Sequence, residues 1–201
     1  MAAQPANNPV AYLNGLYLPL EEARISPLDR GFLFGDGVYE VIPCYSGKLF
    51  RLEQHIERML RSLNAIQLPS PHSEAEWISL LDGLVQRNGS GHQSLYVQVT
   101  RGAPSIRDHR FPDNCPATVF ALSQTLDNPD ARALDSETGI RCISCNDIRW
   151  NHCDIKAVSL LANVLLKWSA QDAGASEAIL LRDGLLTEGA TSSVHVVRHG
   201  R

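Results

Sequence analysis

Lys156 closes the stretch Arg149-Trp150-Asn151-His152-Cys153-Asp154-Ile155-Lys156 and stands just before an apolar segment with helical spacing. A lysine amine is a nucleophile toward carbonyl carbon and, once free, a base. Arg107 and His109 precede it, within Ser105-Ile106-Arg107-Asp108-His109 on a loop between two strands. Alternate residues of an extended loop face the same way, so this basic pair can converge on one anion. A lone acid follows, Glu188 in Thr187-Glu188-Gly189. Singly, each has an ordinary reading: a surface lysine, two loop polar groups and an exposed strand-end acid. Together they are groups suited to a small molecule that carries a carboxylate.

Elements must position them. Tyr12-Leu13-Asn14-Gly15-Leu16-Tyr17 predicts a hairpin, because Asn-Gly takes the positive φ values of a two-residue turn. Residues 37–44 and 48–51 flank Tyr45-Ser46-Gly47 as a second hairpin. Tyr39 alternates with Val38 and Glu40 there, so its phenol faces either a cleft or the core. Leu52, Ile56, Met59, Leu60, Leu63 and Ile66 fall on one face of a helix, with Pro69 beyond its end. Arg58 projects away from that stripe, as a solvated arginine or as a planar charged fork for an anion. Ser73-Glu74-Ala75-Glu76 is a capping box that opens a further helix, with Trp77, Leu80, Leu81, Leu84 and Val85 inward and Asn88-Gly89 as its stop. Residues 94–100 and 117–122 read as strands.

The polar segment 123–139, with Asn128-Pro129-Asp130, has no periodicity and marks a boundary. It divides the chain into an N-terminal α/β lobe (1–122), a linker (123–139) and a C-terminal lobe (140–201). In the latter, 140–145 is expected as a strand and 159–173 as a helix closed by Gly174. A hairpin turns at Asp183-Gly184, and 191–197 begins one more strand. With nothing to cover that last strand, the second lobe is expected to be incomplete. Lys167, mid-helix, reads as a solvated residue.

The 201 residues, 44% of them hydrophobic, suffice for a core in one domain or two small ones. A net charge of −4 with scattered basic residues argues against a nucleic-acid partner. No apolar run approaches the roughly 18 residues that span a bilayer, and MAAQPANNPV does not read as a secretory signal. Five cysteines among ordinary apolar patterns suggest reduced thiols and a cytoplasmic protein. Cys142-Ile143-Ser144-Cys145 has CxxC spacing, but a strand sends its thiols to opposite faces, so no metal site is expected. Gly35-Asp36-Gly37 lacks the spacing of a phosphate loop and reads as a turn entering a strand.

Longer motifs carry a family resemblance. Asp29-Arg30-Gly31-Phe32-Leu33-Phe34-Gly35-Asp36-Gly37-Val38-Tyr39-Glu40 and Arg101-Gly102-Ala103-Pro104-Ser105-Ile106-Arg107-Asp108-His109 are similar to those of class IV aminotransferases. Asp147-Ile148-Arg149-Trp150, Cys153-Asp154-Ile155-Lys156 and Thr187-Glu188-Gly189 extend the match from about Tyr12 to Val197, most nearly to the D-amino-acid branch. The resemblance implies a two-lobed α/β (α+β) fold, its second lobe truncated, and pyridoxal 5'-phosphate as cofactor. Lys156 would hold the cofactor aldehyde and serve as catalytic base. Arg58 would bind the cofactor phosphate, and Glu188 the protonated pyridine nitrogen. Tyr39, Arg107 and His109 would grip the substrate α-carboxylate, presenting a D-form Cα–H to the lysine. The implied substrates are a D-amino acid such as D-alanine and a 2-oxo acid such as 2-oxoglutarate, and the implied assembly is a homodimer. A branched-chain L-transaminase and an aminodeoxychorismate lyase are the alternatives within the family, and Arg107 with His109 argues against both. A non-catalytic truncated paralogue or fragment that only binds or dimerises is the alternative outside it.

Overall fold

Asn14 and Gly15 take φ values of 48° and 98°, so β1 (Val10–Leu13) turns directly into β2 (Leu16–Pro19), as the Asn-Gly pair predicts. The computed structural model describes residues 9–127 and 139–200. The chain divides into two units, one of Met1–Pro129 with Asp154–Ser159, the other of Asp130–Cys153 with Leu160–Arg201.

The first unit is built on a six-stranded sheet in the order β2-β1-β6-β5-β3-β4, its pairs antiparallel. β3 is Gly37–Tyr45, β4 Lys48–Leu49, β5 Gln93–Thr100 and β6 Thr118–Thr125. The expected alternation holds along β5, where Leu95, Val97 and Val99 are fully buried. That face packs against α2 (Leu52–Ala65) and α3 (Glu74–Arg87) around Trp77, Ile56, Met59 and Leu81. Residues of the opposite face, Tyr39, Tyr96, Gln98 and Phe120, are half-buried. Ser73 caps α3 as predicted, its hydroxyl accepting from the Glu76 N–H while Glu76 accepts from the Ser73 N–H.

Local reading missed a short helix, α1 (Arg30–Phe34), which is too brief to show a period. Asp29, 1% exposed, caps it by accepting from the Gly31 N–H, and its other oxygen accepts from the Thr100 hydroxyl. Gly35 ends it at φ 66°, and a side chain there would collide with Ser159. Gly35-Asp36-Gly37 is thus a helix cap leading into β3. Two strand limits also differ from expectation. β4 stops at Leu49 because Arg51 takes a left-handed φ of 52° to start α2. β6 runs on to Thr125, inside the segment read as linker, and residues 128–138, with Asn128-Pro129-Asp130, lie outside those described, as do 1–8.

The second unit has a three-stranded sheet, β7 (Cys142–Asn146), β8 (Glu177–Arg182) and β9 (Leu185–Gly189). β7 and β8 are parallel, and β8 and β9 form the antiparallel hairpin predicted at Asp183-Gly184. The helix α4 (Leu161–Asp172) packs Leu166 and Ala170 against Ala178, Leu180 and Ala190. The strand expected over 191–197 does not form: Val196 and Val197 are 77% exposed, and no described strand offers them a ladder. Lys167 is not simply solvated, since its amine donates to the Ser176 carbonyl at 2.6 Å and lies 3.5 Å from Glu177. Among the described residues no helix is long and apolar enough to cross a membrane.

Candidate active site

The short β4 leaves the first half of β3 with an open edge, and the Lys156 segment takes it. Tyr39 N–H donates to the Lys156 carbonyl at 3.0 Å, Val158 N–H donates to the Gly37 carbonyl at 3.1 Å, and Val38 bridges Ala157. Lys156 N–H also donates to Ser62 Oγ at 3.2 Å, so the segment is tied to α2 as well as to β3. These ties hold the side chain over Tyr39, with Nζ 4.0 Å from the ring centroid. Tyr39 in turn stacks on Tyr96 at 5.6 Å between centroids. Burial, and to a smaller degree Tyr39, pushes the Tyr96 phenol up to about 12, and its hydroxyl donates to Gln98 at 2.7 Å. The amine therefore lies over a phenol ring that is itself stacked on a second one.

Arg58 lies one helical turn before Ser62, on the side of α2 that meets β3. Its Nε and Nη2 donate to the two oxygens of Glu40 at 2.5 and 2.7 Å, and His55 Nδ1 lies 2.9 Å from the same carboxylate. Glu40 has no exposed surface. Burial alone would raise its carboxyl, but the hydrogen bonds and charges of Arg58 and His55 hold it below its ordinary value. The same pairing raises Arg58. Arg58 keeps 45% of its side chain exposed, and its Nη1 has no hydrogen-bond partner among the described residues. The fork is thus aimed by Glu40 with one donor to spare.

Arg107 and His109 come together on one ring. The Arg107 guanidinium carbon is 4.8 Å from the Phe34 centroid, and the His109 ring is 4.9 Å from it. Both side chains are exposed, and among the described residues neither has a hydrogen-bond or ion-pair partner. Their ring contacts are with Phe34, not with Tyr39, so within one chain the three residues expected to grip a carboxylate form two clusters. Arg30 supports this loop, and with Arg101 it forms a buried ion-pair network on Asp36. Those two arginines, through hydrogen bonds and charge, hold the Asp36 carboxyl low against the opposing effect of burial.

Glu188 belongs to the second unit. Its Oε2 accepts from Arg149 Nη1 at 2.5 Å, while its side chain stays 41% exposed and Oε1 has no partner among the described residues. Arg149 gives its Nε and Nη2 to Asp147, each at 3.0 Å, and Asp147 also accepts from the Thr187 hydroxyl at 2.8 Å. The Arg149 hydrogen bonds hold the Asp147 carboxyl far below its usual range, and Asp147 raises Arg149 in return. A register shift between Leu180 and Leu181 pairs Glu188 with Leu180 and leaves Thr187 as the extra residue of a bulge. Thr187 and Glu188 can therefore both meet the Asp147–Arg149 pair.

Two residues of these clusters, Ser62 and Tyr96, carry little signal in the sequence, while Phe34 and Asp147 lie inside the family-like motifs without an assigned role. Glu40 does leave a signal. It is an acid on the inward face of a strand, between Val38 and Ile42, and such a position demands a cationic partner.

The profile of the family described as amino-transferase class IV matches residues 37–201. A D-alanine aminotransferase of Bacillus licheniformis is 43% identical over 186 residues, covering 92% of this chain and 64% of that protein. One from Staphylococcus epidermidis is 40% identical over 190 residues, covering 94% and 66%. Among solved structures, a T.th. branched-chain amino acid aminotransferase with pyridoxamine 5'-phosphate superposes with a TM-score of 0.81 at 26% identity, covering 92% of this chain and 63% of that one. The chain thus spans 64% and 66% of the length of the two curated relatives. With a profile match over residues 37–201 and these identities, the chain belongs to the class IV amino-transferase family.

Proposed function

We propose that this chain carries residues of a pyridoxal phosphate-dependent transaminase that moves an amino group between a D-amino acid of the D-alanine type and a 2-oxo acid such as 2-oxoglutarate. The observation that carries the reading is Lys156, whose Nζ stands 4.0 Å from the Tyr39 ring in a chain of this family. Identities of 43% and 40% to D-alanine aminotransferases favour the D-amino acid substrate, as does the meeting of Arg107 with His109.

The donors present fit the cofactor's chemistry. Its phosphate calls for a cation with a free donor, which Arg58 Nη1 supplies on a half-exposed side chain. Its pyridine N–H calls for an acceptor, which Glu188 Oε1 supplies. When bound, pyridoxal phosphate supplies an aldehyde for covalent attachment and a cationic ring that draws electrons from Cα. Lys156 Nζ is the attachment point and, once released, the base that takes the Cα proton. Arg107 and His109 bind the α-carboxylate and so choose which face of Cα meets that base. Ser62 and the β3 edge keep the lysine backbone in place. The same reading includes a homodimer.

Likeness to the branched-chain enzyme structure supports a second substrate reading, an L-amino acid with an aliphatic side chain. Turnover of D-alanine against L-leucine, each with 2-oxoglutarate, separates the two. For the reaction class, the purified chain is mixed with pyridoxal phosphate and scanned. Uptake should produce a visible absorption band that Lys156→Ala abolishes together with turnover. A parent chain that takes up no cofactor favours a non-catalytic protein, and activity surviving in Lys156→Ala removes the lysine from its role.

A further inference from the structure

We propose that Phe34 and Arg30, both on α1, are positioning residues for the carboxylate-binding pair, so that α1 sets how well the protein holds its substrate's α-carboxylate. The inference rests on the reading of Arg107 and His109 given above.

Among the described residues, Phe34 is the ring that meets both side chains, at 4.8 Å from the Arg107 guanidinium and 4.9 Å from the His109 imidazole. Exposed arginine carries much rotamer freedom, and an anion that fixes it must offset that loss. Resting both groups on one aromatic ring reduces the loss in advance, because a ring face attracts a guanidinium while leaving its N–H donors unpaired. The donors are indeed uncommitted: among the described residues, neither side chain has a hydrogen-bond or ion-pair partner. Two basic groups gathered at one ring without acceptors suit a planar two-oxygen anion.

Arg30 does for the backbone what Phe34 does for the side chains. Its guanidinium is 4% exposed and donates to the carbonyls of Asp108 at 2.5 Å, Arg110 at 3.2 Å and His109 at 3.4 Å. Its charge is met by Asp36 at 2.7 Å. The same guanidinium lies 4.8 Å from the Phe34 centroid, so ring and loop are fastened to one buried group. α1 is itself anchored by the Asp29 cap and by Arg30 N–H donating to the Gly102 carbonyl at 2.8 Å. Asp29, Arg30 and Phe34 thus share one task.

The test uses the full chain with pyridoxal phosphate and D-lactate, which has the α-carboxylate but no amine to react. Binding is read from the His109 ring-proton NMR signals, and folding from circular dichroism. Phe34→Leu keeps apolar volume but removes the ring, and should weaken D-lactate binding by about three- to tenfold. Phe34→Met provides an independent ring-less variant if the leucine form does not fold. Phe34→Tyr keeps the ring and should bind within about twofold of the parent chain. A ring-less variant that folds and binds D-lactate as tightly as the parent overturns the positioning role, as does weakened binding that Phe34→Tyr fails to restore. Arg107→Ala is the control for the underlying reading. If it alone loses D-lactate, that reading stands and only the role of Phe34 falls. If Arg107→Ala binds like the parent, both fall.

Discussion

A carboxylate with no exposed surface must be met by donors, and Glu40 decides what Arg58 can do. The bidentate contact at 2.5 and 2.7 Å takes two of the arginine's nitrogens and turns a flexible side chain into a fixed one. Its cost is desolvation, which is why such a pair is weak evidence for stability but a sensitive one to break. Glu40→Gln leaves Arg58 and His55 facing a neutral amide and should lower the free energy of unfolding in urea by about 3 kcal/mol. An unchanged midpoint and slope would mean the pair holds nothing. Arg58 itself was legible only as an arginine off the apolar stripe of its helix. That Glu40 aims it could not be read locally, since strand and helix meet only through packing.

At the scale of elements, the sequence was most readable where one short rule governs many atoms. Asn14-Gly15, the stripe of α2 and the Ser73–Glu76 box each predict a structure that formed. Ser73→Ala removes the hydroxyl that accepts from the Glu76 N–H and should cost about 1 kcal/mol, read as a lower thermal midpoint. A midpoint equal to the parent's would show that the box is not needed once Trp77 is packed. α1 escaped notice because five residues carry no period, although its Asp29 cap and its Gly35 stop were both present. The strand expected over 191–197 fails for the opposite reason. Its β-branched residues favour extended backbone, but a strand needs a neighbour to pair with, and no described strand reaches Val196 or Val197.

At the scale of the molecule, the two units differ in what holds them. The first has an apolar core spread over a six-stranded sheet and two helices. The second has a small cluster around Leu166, Ala178 and Leu180, and two of its acid side chains, Glu177 and Asp147, are buried. Glu177 is the clearest of these. Burial would raise its carboxyl, but hydrogen bonds from Ser192, the Ala178 N–H and Thr191, with the charge of Lys167, bring it down to about 2 from 4.5. A carboxyl lowered on folding contributes stability above its unfolded value and loses it as pH falls through the folded one. The contribution should be complete above about pH 4.5 and disappear toward about pH 2, some 3 kcal/mol in all. Thermal melts over that range should fall more steeply for the parent than for Glu177→Gln. Parallel curves would remove Glu177 as the source.

The residues alone determined the local pieces: three hairpins, three amphipathic helices, a helix cap, and the order of Arg58, Arg107, His109, Lys156 and Glu188 along the chain. These follow from spacing, turn chemistry and side-chain type, which act over a few residues, and from motifs long enough to mark a family. Tertiary structure decided which groups meet. Lys156 reaches Tyr39 because a short β4 leaves β3 an open edge, and Arg58 is aimed because strand and helix bury Glu40 between them. Arg107 and His109 share Phe34 because a buried arginine ties their loop to a helix that no periodicity announced. Such contacts join residues far apart in the chain, and their energies depend on burial, which exists only after the core has formed.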